Sequence, residues 1–195
     1  MKLQTFIFFG PSGSGKGTQA KLLIDELKKR DDRQVLYLET GEKVRGFSAE
    51  ASLTAKKTRE IIDQGGLLPE FLPVWLWTEY LVRHVSGDEH MVLDGVSRRP
   101  HEAVILDSAM RFYNRENPVI ISIDLSDEEA KKRMEGRGRS DDNKMDINKR
   151  LDWYRDNVVK SLEYFKNNPY YKFITIDGNG SIEEVHKEIL ERVGL

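Results

Sequence analysis

The chain has 195 residues, with 31 Lys and Arg against 33 Asp and Glu, a formal net charge of −2 and no cysteine. The charge balance excludes a general binder of nucleic acid or membrane surfaces, which needs a net basic field, so any anion site must come from local Arg and Lys clusters. The missing cysteines exclude disulfides, thiolate metal sites and a thiol nucleophile. The length suits one domain, or one core with small inserts, with a sizeable buried interior. No apolar run approaches the roughly 20 residues of a membrane span. The first residues lack a small-residue cleavage site and run straight into a glycine loop, so a strand is expected there and not a signal peptide. The expected location is the cytoplasm.

Phe6–Phe9 is the first candidate strand, followed by the glycine loop and a helix. On that helix Ala20, Leu23, Ile24 and Leu27 recur at helical spacing, and Glu26, Lys28, Lys29 and Arg30 fill other positions. Val35–Leu38, Met91–Leu93, Val119–Ile123 and Phe173–Ile176 are the further strands. Most are continuously apolar, as strands covered on both faces of a parallel α/β sheet are. Asp177-Gly178-Asn179-Gly180 is a turn, and Ser181, with Glu183 and Glu184 behind it, starts a last helix that ends near Gly194.

Two stretches depart from the core pattern. Thr40 to about Trp77 is longer than one crossover needs, and it contains Gly65-Gly66, Pro69 and Pro73. Gly136 to Asn143 is short, polar and rich in Arg and Asp. An oversized crossover and a polar tip are places for moving parts.

Gly10-Pro11-Ser12-Gly13-Ser14-Gly15-Lys16-Gly17-Thr18 lies between a strand and a helix. Glycines let the backbone curl so that N–H groups converge on phosphate oxygens, and the helix N-terminus adds partial positive charge. Lys16 can reach the outer phosphates and a following hydroxyl can join a Mg²⁺ shell. The strict pattern puts Ser or Thr directly after Lys; here Gly17 precedes Thr18. The apolar strand Met91-Val92-Leu93 ends in Asp94, a carboxylate placed to hold Mg²⁺ directly or through water.

Gly10–Gln19 resembles the phosphate loop of the adenylate kinase family, including the Gly between Lys and Thr. Four more segments line up in order. Thr40-Gly41-Glu42-Lys43-Val44-Arg45 resembles the family's Thr-Gly-Asp-x-x-Arg, and Gly66-Leu67-Leu68-Pro69 its Gly-x-Leu-Val-Pro. Asp94-Gly95-Val96-Ser97-Arg98 resembles Asp-Gly-Phe-Pro-Arg. Arg133, Arg137, Arg139-Ser140-Asp141-Asp142-Asn143 and Arg150 resemble the lid pattern.

The resemblance implies a three-layer P-loop fold with a five-stranded parallel sheet. It implies a single domain over 1–195, with core at 1–39, 78–133 and 145–195, a helical monophosphate-binding insert at about 40–77 and a very short lid at about 134–144. It implies that Gly13, Ser14, Gly15, Lys16, Gly17 and Thr18 hold ATP phosphates while Arg133 lies over the adenine. Thr18 and Asp94 organise Mg²⁺. Arg45 and Arg98 grip the acceptor phosphate, and Thr40, Leu68 and Gly95 line the acceptor base pocket. Arg137, Arg139 and Arg150 surround the transferring group, Arg139 and Arg150 also reaching the acceptor, and Asp141 and Asp142 help close the lid. The chemistry agrees, because phosphoryl transfer needs in-line positioning and neutralised charge, and guanidinium forks fit phosphate bidentately. The implied reaction is ATP + AMP = 2 ADP, with ATP and a nucleoside monophosphate as partners and a monomer as the expected state.

Three departures bear on this reading. Only Gly138 separates Arg137 from Arg139, so the lid is of the short type, and without Cys a zinc-bearing lid is impossible. Val96-Ser97 replaces Phe-Pro, so a trans bond and a re-aimed Arg98 are expected. Glu102 stands where the family reads the base with Gln. An ionised carboxylate only accepts; it opposes adenine N1 and suits the two donors of guanine, which points toward GMP or broad acceptor use. The alternatives are that Glu102 is exposed and reads nothing, or that His101 or a water rescues AMP binding. Trp75 and Trp77 are read as core or flap packing, and His84, His90, His101 and His186 lack ligand spacing. Two further readings compete: a nucleotide-binding module without transfer, and a P-loop kinase for another small acceptor. Lys16, Arg98 and the lid arginines weigh against the first, Thr40 and Arg45 against the second.

Overall fold

The computed structural model describes residues 1–64, 66–137 and 144–195, the side chains of 137 and 144–146 excepted. Five strands form one parallel sheet: β1 (Thr5–Phe9), β2 (Val35–Glu39), β3 (His90–Asp94), β4 (Val119–Asp124) and β5 (Lys172–Asp177), in the order β2-β3-β1-β4-β5. The five apolar runs anticipated these strands to within about a residue at each end. β1 and β3 are buried at every position, and β4 at all but its last, as central strands covered on both faces must be. The edge strand β2 is half-buried and β5 alternates, because each lacks a neighbour on one side.

Alternation along β1 sends its side chains into two layers. Phe6 and Phe8 pack with Leu23 and Leu27 of α1 (Lys16–Arg30) and Ile189 of α9 (Ile182–Val193). Ile7 and Phe9 face the other way. They join Trp77 and Leu81 of α4 (Phe71–His84), Leu106 and Met110 of α5 (Pro100–Phe112) and Leu162 and Phe165 of α8 (Val159–Lys166). The fold is thus a three-layer α/β/α sandwich. The expected cap of α9 is present: Ser181 Oγ accepts from Glu184 N, and the Glu184 carboxylate accepts from Ser181 N in return.

The long crossover from β2 to β3 carries α2 (Thr40–Ser48), α3 (Leu53–Asp63) and α4. Phe47, Ala55, Leu72 and Leu76 form a small core of their own. Packing changes hands within α4: Leu72 and Leu76 serve the small core, Trp77 and Leu81 the main one. Trp77 is fully buried as expected, whereas Trp75 is 47% exposed and meets Phe47 edge-on. After β4 come α6 (Asp127–Arg137) and α7 (Lys144–Trp153). α7 runs through a π-helical turn at Tyr154–Val158 into α8. Ala130, Met134, Ile147 and Leu151 hold α6 to α7. Among the described residues no helix is long and apolar enough to cross a membrane.

Candidate active site

The chain enters and leaves β1 at the centre of the sheet, with β3 on one side and β4 on the other, so connections diverge at the carboxyl end of β1. Open α/β sheets bind ligands at such a point, and the glycine loop lies there. Gly13 and Gly15 have φ of +87° and +85°, conformations that a side chain resists. Gly10 and Gly13 are also hemmed in. A methyl group on Gly10 would stand 2.7 Å from Ile123 O, and one on Gly13 2.7 Å from Ala130 O. The loop is therefore pressed against the β4–α6 corner, and that packing helps to set its shape. Lys16 Nζ donates to Gly10 O at 2.7 Å and Pro11 O at 2.9 Å, with Ser14 Oγ at 3.4 Å. The ammonium thus sits over the curled backbone, where an anion's oxygens would arrive.

A cavity of about 340 Å³ opens beside the loop. Gly13–Gly15 and Thr18 form one wall, and Arg133 and Gly180–Ile182 another. Arg133 is held by Glu129 Oε1 at 2.8 Å and reaches Gly180 O at 3.4 Å. Gln19, 2% exposed, ties the walls together by donating to Ile182 O at 2.9 Å. Gln19, the last residue of the Gly10–Gln19 motif, carries no role of its own in that motif, and Gly180, Ser181 and Ile182 are site residues the motifs missed. Their one sequence signal is the Asp177–Gly180 turn at the end of a parallel strand.

Across the loop from this cavity lies Asp94, level in the ladders with Phe8 and Glu39. A methyl group on Gly17 would lie 3.5 Å from Asp94 Oδ2, so the extra glycine lets the helix start pass close to the carboxylate. Among the described residues no three acidic, His or Cys side chains gather as a metal cage. One carboxylate beside an exposed Thr18 suits Mg²⁺, which keeps its waters and binds through one or two carboxylates and substrate phosphates.

Arg98 follows the Gly95 turn. Its Nε donates to Gly95 O at 2.9 Å, and Gly95 has φ +71°. Arg98 is solvent-accessible, yet neighbouring protein crowds its guanidinium. That crowding pulls its pKa down, Asp94 and Glu102 pull it up, and Arg150 on α7 pulls it down again. Arg98, Asp94 and Arg150 thus share one electrostatic neighbourhood. No peptide bond is cis among the described residues; Ser97 takes φ +56° instead, fully buried. Ser161 Oγ donates to Ser97 O at 2.7 Å and lies 3.1 Å from Ser97 Oγ, so α8 secures the turn that aims Arg98.

On the insert side Arg45 Nη2 is 3.0 Å from Glu39 Oε1. Thr40 is 3% exposed, and its hydroxyl has no hydrogen-bond partner among the described residues. Leu68 is half-buried against the insert core. The Tyr37 hydroxyl is pushed far up by burial and then by Asp94, Glu39 and Glu42, which marks a negative field on this side.

Glu102 is not exposed, which removes the alternative that it reads nothing because it faces water. It is 1% exposed: Oε2 accepts from Arg98 N at 2.7 Å, and Oε1 is 3.4 Å from Arg99 Nη1. The carboxylate serves the first turn of α5 and a neighbouring guanidinium. Arg137 ends α6, but its side chain lies outside the described residues, as do Gly138, Arg139, Ser140, Asp141, Asp142 and Asn143 of the lid pattern, and Gly65 of the insert.

The sequence model of the adenylate kinase family matches residues 8–170. The chain is 31% identical over 185 residues to the adenylate kinase of Prochlorococcus marinus, covering 95% of this chain and 96% of that one. It is 30% identical over 188 residues to adenylate kinase 1 of Nostoc sp., covering 96% and 97%. It is 32% identical over 187 residues to the adenylate kinase of Hyphomonas neptunium, covering 94% of each.

Proposed function

This chain belongs to the adenylate kinase family, and from that premise we propose that it transfers the γ-phosphoryl group of ATP to AMP, giving two ADP. The observation that carries the proposal is the placing of Arg98. Its Nε is bonded to the Gly95 carbonyl at the end of β3, and Asp94, Glu102 and Arg150 are within its electrostatic reach, which supports a phosphate-binding role there.

In this reading the cavity between Gly13–Gly15 and Arg133 receives ATP, with Arg133 over the adenine. Lys16 exchanges the carbonyls of Gly10 and Pro11 for phosphate oxygens. Residues 40–77 are the acceptor insert, supported by the small core around Phe47 and Leu72. Arg45 and Arg98 take the acceptor phosphate; Thr40, Leu68 and Gly95 line the base pocket. Arg137, Arg139 and Arg150 stabilise charge on the transferring group, and Asp141 and Asp142 belong to a lid at about 134–144 that excludes water. Asp94 and Thr18 would hold Mg²⁺, which supplies charge neutralisation between the phosphates. The reading makes the enzyme a cytoplasmic monomer; the location agrees with its lack of cysteine.

AMP is preferred over GMP because the carboxylate of Glu102 is engaged at Arg98 N and Arg99 and is not offered to guanine's donors. ADP formation measured with ATP, Mg²⁺ and each of AMP, GMP, CMP and UMP tests the proposal. The expected result is AMP preferred by about tenfold or more, the cost of leaving a guanine N–H donor unpaired in the pocket. Equal use of GMP would overturn the base assignment, and absence of ADP with every acceptor would overturn the reaction.

A further inference from the structure

Arg99 stands next to Arg98 yet is spent on the protein. Its Nη2 donates to Leu68 O at 3.2 Å, Nη1 lies 3.4 Å from Glu102 Oε1 and Nε 3.5 Å from Glu70 Oε1. The guanidinium also lies 5.5 Å from the ring centre of Trp153. Leu68 and Glu70 belong to the insert, Glu102 to α5, and Trp153 to the end of α7. One side chain, 13% exposed, therefore bridges three separately built parts. His101 adds a second tie, with Nε2 2.8 Å from Glu70 Oε2.

The segment 66–69 has no regular secondary structure, so its position rests on such contacts. Trp153 follows Arg150 by three residues, which places both on one side of α7. A planar fork can donate to a carbonyl, face two carboxylates and lie near an aromatic ring at once; a lysine ammonium cannot.

We propose that Arg99 is a positioning residue for the acceptor nucleotide. It fixes the Leu68 wall of the acceptor pocket against α5 and the helix of Arg150, and so sets monophosphate affinity without contacting the donor. The inference rests on the reading of residues 40–77 as the acceptor site.

Steady-state kinetics with ATP and AMP on the full chain, with thermal melts as a folding control, test it through Arg99→Ala and Arg99→Lys. The lysine variant keeps a positive charge beside the buried Glu102 and so maintains the fold. Expected is a rise in the acceptor KM of about tenfold for alanine and a smaller rise for lysine, with the ATP KM within about twofold of the parent in both. Parallel rises in both KM values, or full rescue by lysine, would overturn the positioning role while leaving the kinase reading standing. A parent enzyme that phosphorylates no monophosphate would overturn both.

Discussion

A methyl group on Gly95 would lie 2.7 Å from Arg98 Nη2, while Arg98 Nε bonds the Gly95 carbonyl at 2.9 Å. The arginine is folded back over the glycine that precedes it in the turn, in space a side chain would take. Gly95→Ala is therefore expected to push the guanidinium outward. It also places alanine at φ +71°, at about 1–2 kcal/mol. A lowered Tm should accompany a raised acceptor KM and an unchanged ATP KM. An acceptor KM equal to the parent's would show that Arg98 needs no support from this turn.

Lys16 Nζ bonds the Gly10 and Pro11 carbonyls. Lys16→Met removes the cation and keeps the length of the chain. kcat/KM should fall by roughly 10²–10³-fold, the loss typical of deleting one charge-stabilising donor. Circular dichroism should show a folded protein, because the loop's shape comes from the packing of Gly10 and Gly13 on Ile123 and Ala130.

Arg45 is held by Glu39 at 3.0 Å, and the pair is partly exposed, at 49% and 19%. Exposed pairs contribute about 0.2–1 kcal/mol. An acceptor phosphate has to compete with that carboxylate, so Glu39→Gln should lower the acceptor KM by about two- to fivefold. Arg45→Ala should raise it by about tenfold or more, with little change for ATP. Equal effects on the two substrates would remove Arg45 from the acceptor site.

Stability should depend on pH in two separate windows. Burial lowers the pKa of His90, whose Nδ1 accepts from Gln4 N at 3.0 Å; burial lowers that of His186 as well. The unfolded chain takes up these protons near pH 6.5 and the folded one only below it, so stability declines as pH falls below about 6.5. Asp31 behaves as a depressed carboxylate. The backbone N–H of Arg33 and its guanidinium hold it at about 2. Its contribution is complete above about pH 3.9 and disappears as pH falls to about 2. Urea midpoints from pH 8 down to pH 2 should show both steps; Asp31→Asn should shrink the lower one, to which Glu89 and Asp107 also contribute, and deepen the upper one, because Asp31 Oδ2 lies 3.3 Å from His90 Nε2 and raises its pKa. A midpoint constant between pH 8 and 5 would contradict the assignment to buried neutral histidines.

The fold was legible because central parallel strands must be apolar on both faces, and Phe6–Phe9 and Val119–Ile123 announce that directly. The phosphate loop was legible because its glycines and Lys16 are contiguous. The second wall of the cavity beside the loop was not. Gln19 meets Ile182 across 163 positions, and no local pattern encodes such a pairing. Glu102 was legible as a departure but not as an inward-facing group, since a charge on the first turn of a helix is ordinarily solvated. Arg99 was hidden for the same reason: its neighbours Leu68 and Trp153 come together only when the insert and α7 have been laid on the core.

The handover within α4 also says what kind of motion the insert can make. Leu76 belongs to one interior and Trp77, its neighbour in the chain, to the other. The two bodies therefore share α4 without a slack linker, and β2 runs directly into α2 at Thr40. A shift of the insert against the sheet has to bend or swivel α4 near its middle, carrying Leu68 about Trp77 while Thr40 stays tied to β2. In the proposed reading the acceptor site would then open about this helix, and substitutions at Trp77 would alter opening without touching a nucleotide.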